Sequence, residues 1–195
     1  MKRHRNTVLA AAAFLASITS QAQFKLPVTN NDLRNNLQKI IIDFPTHFST
    51  LRGDTLVENP QTIEFASLLD FKGAQENSIT EYKSARPVYS WQALLLSTED
   101  YAEAEKKYKW LYNQLKVMTV KLDGGYTFTF DGNYVAPDES RKFSNTIFKL
   151  TPNASNMPKL KVEASMQFEF PEWKVSLLVY EREREDTERG DVNGD

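Results

Sequence analysis

The stretch that decides the fold is residues 86–118, RPVYSWQALLLSTEDYAEAEKKYKWLYNQLKVM. Residues 88–96 begin with β-branched and aromatic side chains and end in Leu94-Leu95-Leu96, too apolar for an exposed edge and typical of a central strand. Ser97, with Asp100 three residues on, reads as a capping pair and predicts a helix starting near Thr98. Tyr101, Ala104, Tyr108, Leu111, Leu115 and Met118 then recur at three and four, one apolar stripe turned to a core. Glu103 with Lys107, and Glu105 with Lys109, set acid before base on the wet face. Acids crowd the first turn and Lys116 sits in the last, as the helix dipole prefers.

Upstream, Asn30 or Asn31 is placed to cap a first helix, with Leu33, Leu37, Ile40, Ile41 and Phe44 on one face. Pro45 should end or kink it, because proline lacks the N–H and crowds the preceding turn. Phe48 and Leu51 keep the phase, which predicts a bent continuation to a left-handed cap at Gly53. From Thr55 the period becomes two. Strands are expected at residues 62–71, 78–84 and 88–96, and beyond the second helix at 126–130, 142–150, 159–170 and 173–181. Gly- and Asp-bearing breaks at Lys72-Gly73-Ala74, Asp123-Gly124-Gly125 and Asp131-Gly132-Asn133 separate them. Runs of strands with two isolated helices predict an α+β fold in two layers: an antiparallel sheet of about six to seven strands with two main helices packed on one face.

The ends of the chain read differently. Lys2, Arg3 and Arg5 precede an Ala-rich apolar run at residues 8–18, too short to span a bilayer comfortably, and Ser20-Gln21-Ala22 supplies small residues at a cleavage site. Residues 1–22 are therefore expected to be a secretory signal peptide cut after Ala22, residues 23–182 one α+β domain, and residues 183–195, EREDTERGDVNGD, a disordered charged tail. The expected location is the periplasm or the outside of the cell. No Cys follows the apolar run, so a lipoprotein anchor is not expected.

Composition narrows the function classes. The 41% hydrophobic content suits one globular core in a chain of 195 residues. Cleavage would leave 21 of the 24 basic residues against 26 acids, a net charge of −5, which argues against nucleic acid and anionic membrane as partners. With no Cys there is no disulfide framework and no thiolate nucleophile. No later apolar segment is long enough to span a membrane as a helix.

Three segments read together. Asp43-Phe44-Pro45 leads to Phe48, Leu51, Arg52 and Gly53; Tyr89-Ser90-Trp91 runs into Glu99-Asp100-Tyr101 and the Lys107-Tyr108, Leu111-Tyr112 and Leu115-Lys116 helix; Glu172-Trp173-Lys174-Val175 precedes Val179-Tyr180. In these positions the chain resembles a family of small exported Bacteroidota proteins of uncharacterised function. The likeness spans nearly all of the mature chain. It implies no activity and no catalytic residues.

Candidate chemistry is sparse. His47, alone after the signal, lies near Asp43 and Asp54 and could act as a general base, though a helix-end His beside Pro more often lies at the surface. Glu163, Glu169 and Glu172 on the last hairpin, and Asp138-Glu139, offer carboxylates for hydrolysis, which needs two of them about 5–10 Å apart. Trp91, Trp110 and Trp173 could stack on a sugar but fit half-buried packing. Asp191-Val192-Asn193-Gly194-Asp195 opens like a calcium loop and stops before the closing ligands. Arg52-Gly53-Asp54 spells an integrin tripeptide, and Asn153-Ala154-Ser155 a glycosylation sequon improbable in a bacterial-type export context. No phosphate loop or dinucleotide fingerprint occurs.

The reading that follows is a non-enzymatic binding or protein-interaction module of the cell envelope, with an envelope protein or a glycan as partner. No catalytic, cofactor or metal residue is assigned. The contact surface is expected on the sheet face away from the helices, at Thr127, Thr129, Glu163 and Gln167. The alternatives are a carboxylate-dependent hydrolase of glycan or peptide, and a self-associating envelope component.

Overall fold

The computed structural model describes residues 30–122, 125–154 and 157–182. The expected signal peptide, the charged tail and the centres of two loops lie outside them. The elements are α1 (Asn31–Asp43), β1 (Arg52–Glu58), β2 (Thr62–Ser67), β3 (Glu76–Tyr82), β4 (Val88–Thr98), α2 (Tyr101–Val117), β5 (Thr119–Lys121), β6 (Thr127–Asp131), β7 (Phe143–Thr151), β8 (Leu160–Glu169) and β9 (Glu172–Glu181). All nine strands join one antiparallel sheet in the order β1-β2-β3-β4-β9-β8-β7-β6-β5. Each half of the chain is thus a helix followed by a meander, and the two meanders meet where their last strands, β4 and β9, pair.

The second helix forms for the reasons its sequence gives, with one correction at its start. Pairing of β4 with β9 continues to Thr98↔Trp173, which keeps Ser97 and Thr98 extended. The helix therefore starts later, and Asp100 rather than Ser97 is its cap, accepting from the amides of Ala102 and Glu103 at 2.8 and 3.3 Å. Ser97 instead donates to Glu172 at 2.7 Å. Ala104, Tyr108, Leu111 and Leu115 are buried against Trp91 and Ala93 of β4, Val162, Ala164 and Met166 of β8, and Val175, Leu177 and Val179 of β9.

The first helix ends more abruptly than its periodicity suggests. Asn30 caps it, a 3₁₀ turn over Phe44–Thr46 follows, and the chain then reverses. The buried Asp43 carboxylate organises the reversal by accepting from the Thr46 hydroxyl (2.7 Å) and the amides of Thr50 (3.0 Å) and Leu51 (3.2 Å). His47 and Phe48 take φ of 58° and 57°, two consecutive non-glycine residues in the left-handed region. Phe48 is fully buried, so its place in the apolar phase comes from this turn and not from a continued helix. Gly53 is no helix cap; it lies in β1, where a Cβ would stand 3.0 Å from the Ala66 carbonyl oxygen.

The α+β class and the antiparallel sheet with two helices are as expected, but the layout of about six to seven strands with two main helices packed on one face needs correcting in strand count and in helix packing. Strands β1 and β5 bring the sheet to nine, and the helices do not share the face equally. Helix α2 lies over β4, β8, β9 and β6, whereas α1 sits at the margin beside β5. Gln38 of α1 accepts from the Lys121 amide in β5, and Asn36 donates to the Asp70 carbonyl in the loop after β2. A flat nine-stranded sheet would be about 38 Å wide at ~4.8 Å per spacing. Contacts to its two halves from helix residues two positions apart require the sheet to curl round its helices.

Candidate functional site

Alternation in β8 and β9 creates the helix-free face. Leu160, Val162, Ala164 and Met166 of β8 point into the core, so Lys161, Glu163, Ser165 and Gln167 point away from it. In β9 the core takes Trp173, Val175, Leu177 and Val179, leaving Lys174, Ser176, Leu178 and Tyr180 on the other side. The register then builds rows across the strands: Ser78, Gln92, Leu178, Glu163 and Ile147 form one, and Thr80, Ser90, Tyr180 and Lys161 its neighbour.

Three hollows lie along this face. One of about 500 Å³ runs over β1 to β4 and includes Glu64, Thr80, Tyr82 and Gln92 in its lining. A smaller one of about 170 Å³ continues from Gln92 and Leu94 to Glu163, Gln167 and Lys174. The third, about 350 Å³, passes from Glu163 and Leu178 to Tyr180, Ser90, Val88 and Tyr82. Shared lining residues make them one trough: Gln92 and Leu94 join the first two, and Glu163 and Leu178 the last two.

Glu163 sits at the junction. It is only 8% exposed, and its Oε1 accepts from Asn145 Nδ2 at 3.0 Å while Oε2 accepts from the Tyr180 hydroxyl at 2.6 Å. Burial raises the Tyr180 phenol pKa, and the Glu163 carboxylate that holds its proton raises it further. At the other end of the trough Lys174 donates to Glu169 at 2.5 Å, and that bond raises the lysine pKa.

The four residues named from the sequence share the face but not one patch. Glu163 and Gln167 line the same hollow. Thr127 and Thr129 are exposed on β6, two strands from β8, and Thr129 Oγ1 donates to the Thr151 carbonyl at 3.2 Å. From Thr129 to Glu163 the register gives about 16 Å, from two strand spacings and four residues of rise. The threonines therefore mark a separate corner.

Sequence reasoning missed Asn145, Tyr180, Ser90, Gln92 and Tyr82. Alternation in β9 put Tyr180 outward in principle, but which residues it meets depends on cross-strand register.

The remaining candidates are also placed. Six residues of strand separate Glu163 from Glu169, about 20 Å, too far for two carboxylates flanking one glycosidic bond. Glu169 and Glu172 are cross-strand partners, one bound by Lys174 and the other by Ser97. The exposed His47 ring stacks on Tyr89 at 4.8 Å, and the Asp43 oxygens are turned to the backbone of their own loop. Arg52 of the Arg-Gly-Asp tripeptide lies in β1 against Glu81, Phe65 and Tyr89, at 4.0 Å from the Glu81 carboxylate. Trp91 and Trp173 are buried and Trp110 half-buried, with Lys107 4.4 Å from its ring centre. Among the described residues no group of three or more His, Asp and Glu side chains is arranged to hold a metal ion, and the Asp191–Asp195 segment lies outside them. No protein-family model, curated protein or solved structure matches the chain.

Proposed function

We propose that this protein is an exported binding module that presents the helix-free face of its sheet to a protein or glycan of the cell envelope. The observation that carries this reading is the continuous trough centred on Glu163, built from hydroxyl, amide, carboxylate and aromatic side chains of several strands. Such a face, mostly preformed and carrying a few fixed polar groups, is how binding sites are commonly built. The signal-like N-terminus and the resemblance to small exported proteins point to the envelope as the setting.

The test is a crosslinked capture from native envelope extract, read by mass spectrometry, with the chain and with Gln92→Arg and Gln167→Arg. Both glutamines are exposed and line the trough, so these changes should alter stability by no more than about 0.5 kcal/mol. Loss of one reproducible partner in both variants is the expected result. Capture that ignores both substitutions would remove the assignment.

One observation favours self-association as a second reading. Strand β1 is a sheet edge, and its Leu56 and Val57 are 58% and 53% exposed. An edge of this kind is a template for pairing, although the register irregularities along β1 blunt it. A mass by light scattering that stays monomeric over the whole accessible concentration range would exclude this reading.

A further inference from the structure

We propose that the hollow of about 500 Å³ over β1 to β4 binds an uncharged oligosaccharide. This assignment rests on the reading of the helix-free face as the binding face and gives that face a ligand class.

An irregular strand builds the rim. Leu56 and Val57 are consecutive in β1, and in a regular strand they would point to opposite faces. Both line the hollow, and the register shift between Thr55 and Val57 accounts for it. Bulges of this kind re-aim a side chain, and they are over-represented beside functional sites. Leu56 and Val57 are 58% and 53% exposed, and Tyr82, 48% exposed, adds an aromatic ring to the same lining. The floor has the opposite character. Val57 pairs with Glu64, Glu64 with Thr80, and Ser78 with Gln92, so carboxylate, hydroxyl and amide groups lie side by side across the strands. Glu76, four residues before Thr80 on β3, lines the far end. One strand spacing and four residues of rise put it about 14 Å from Glu64, too far for the two carboxylates to hold one small ion.

A sugar ring divides its surface in the same way. Its C–H groups form apolar faces that pack on aromatic and aliphatic side chains, and its hydroxyls ring the edge as donors and acceptors. Tyr82, Leu56 and Val57 suit the faces, and Glu64, Thr80 and Gln92 suit the edge. The span of about 14 Å exceeds one ring, which calls for an oligosaccharide. The volume is that of an ordinary ligand site. An anionic ligand would meet Glu64 and Glu76 with like charge. A lipid tail would strip water from the floor without replacing its hydrogen bonds. A small cation would use one carboxylate and leave the apolar rim uncovered.

The test is an amide-resolved NMR titration of the protein with cellohexaose, maltohexaose, xylohexaose and chitohexaose, with glucose and hexagalacturonate as controls. At least one neutral hexamer should shift the amides of Glu64, Thr80, Tyr82 and Gln92 and bind more tightly than glucose. The anionic hexamer should not bind. Tyr82→Ala should weaken the neutral hexamer about tenfold or more, whereas Tyr82→Phe keeps the ring and should bind as the native chain does. Tyr82 is exposed, so both variants should fold, which a dispersed spectrum checks. Thr80→Arg provides a second, independent check, because a long side chain rising from the floor should block the hollow. Equal shifts from hexagalacturonate, or unchanged affinity in Tyr82→Ala, would overturn the proposal. So would the absence of shifts from every neutral hexamer. If envelope capture stays sensitive to Gln92→Arg in that case, the oligosaccharide assignment fails and the binding face stands, with a protein as its occupant.

Discussion

Raising the pH should unfold this protein partly through one buried phenol. Tyr108 is fully buried between α2 and the sheet, its hydroxyl 2.9 Å from Thr146 Oγ1. Burial pushes its pKa up to about 12, against a weaker opposing effect of the Thr146 hydrogen bond. In the unfolded chain the same group ionises near 10. Between those values the unfolded state has released a proton that the folded state retains, so stability falls as pH rises. The contribution is fully present below about pH 10 and is lost as pH climbs toward 12. Two pKa units correspond to roughly 2.7 kcal/mol at completion, and about 1.4 kcal/mol is already gone at pH 11. Tyr108→Phe removes the titration and loses one hydrogen bond, worth about 1 kcal/mol. Urea unfolding of both proteins at pH 8, 9, 10 and 11 isolates the effect, because every other side chain is common to both. The native protein should lead by about 1 kcal/mol at pH 8 and have no lead at pH 11. A gap that stays constant across the series would refute the reasoning.

Two further predictions concern the backbone that shapes the core. Asp43→Ala leaves the Thr50 amide without its acceptor, while the Leu51 amide keeps the Phe48 carbonyl, and should destabilise by about 2–3 kcal/mol in thermal unfolding, with Asp43→Asn recovering part of the loss. Gly132→Ala would put a Cβ 2.7 Å from Phe148 Cδ1 and 2.9 Å from the Ile147 carbonyl oxygen, an overpacking cost of about 2–3 kcal/mol. Gly73→Ala meets nothing within 4 Å but must hold φ at +87°, a strain of about 1–2 kcal/mol. The melting temperatures should therefore rank Gly73→Ala above Gly132→Ala, and the reverse order would show that the close approach at Gly132 relaxes.

What was legible in the sequence is what local period encodes. The stripe from Ala104 to Leu115 and the alternation of Phe128 with Phe130 reappear as buried positions because burial and period are two views of one geometry. Strand β1 was not legible for the converse reason. Its two large apolar residues, Leu56 and Val57, are both exposed on an edge, so no core pattern marks it. Strand β5 has three residues, fewer than a period-two pattern needs. The helix cap was misplaced by two candidate acceptors three residues apart, and the competitor that decided between them, the β4–β9 ladder, lies 75 residues downstream of Ser97. Half of the site was legible in the same way. Glu163 and Gln167 follow from alternation in β8, whereas Asn145 and Tyr180 become its partners only through register.

That dependence on register explains where the candidate site lies. Tyr82, Val88 and Ser90 come from the first helix–meander unit, and Glu163, Leu178 and Tyr180 from the second. Neither unit alone encloses the hollow; it exists because β4 and β9 pair with Ser90 opposite Tyr180 and Gln92 opposite Leu178. The core side of that seam is closed by Trp91, Ala93, Leu177 and Val179, all fully buried. A residue on the core side, such as Ala93, therefore sets the spacing of the two strands whose outward neighbours hold the hollow open. Overpacking there should disturb the Glu163–Tyr180 bond without touching either residue, whereas the same volume added at the exposed Thr129 should not. The candidate face and the joint between the halves of the chain are one structural feature, and the buried carboxylate sits beside it.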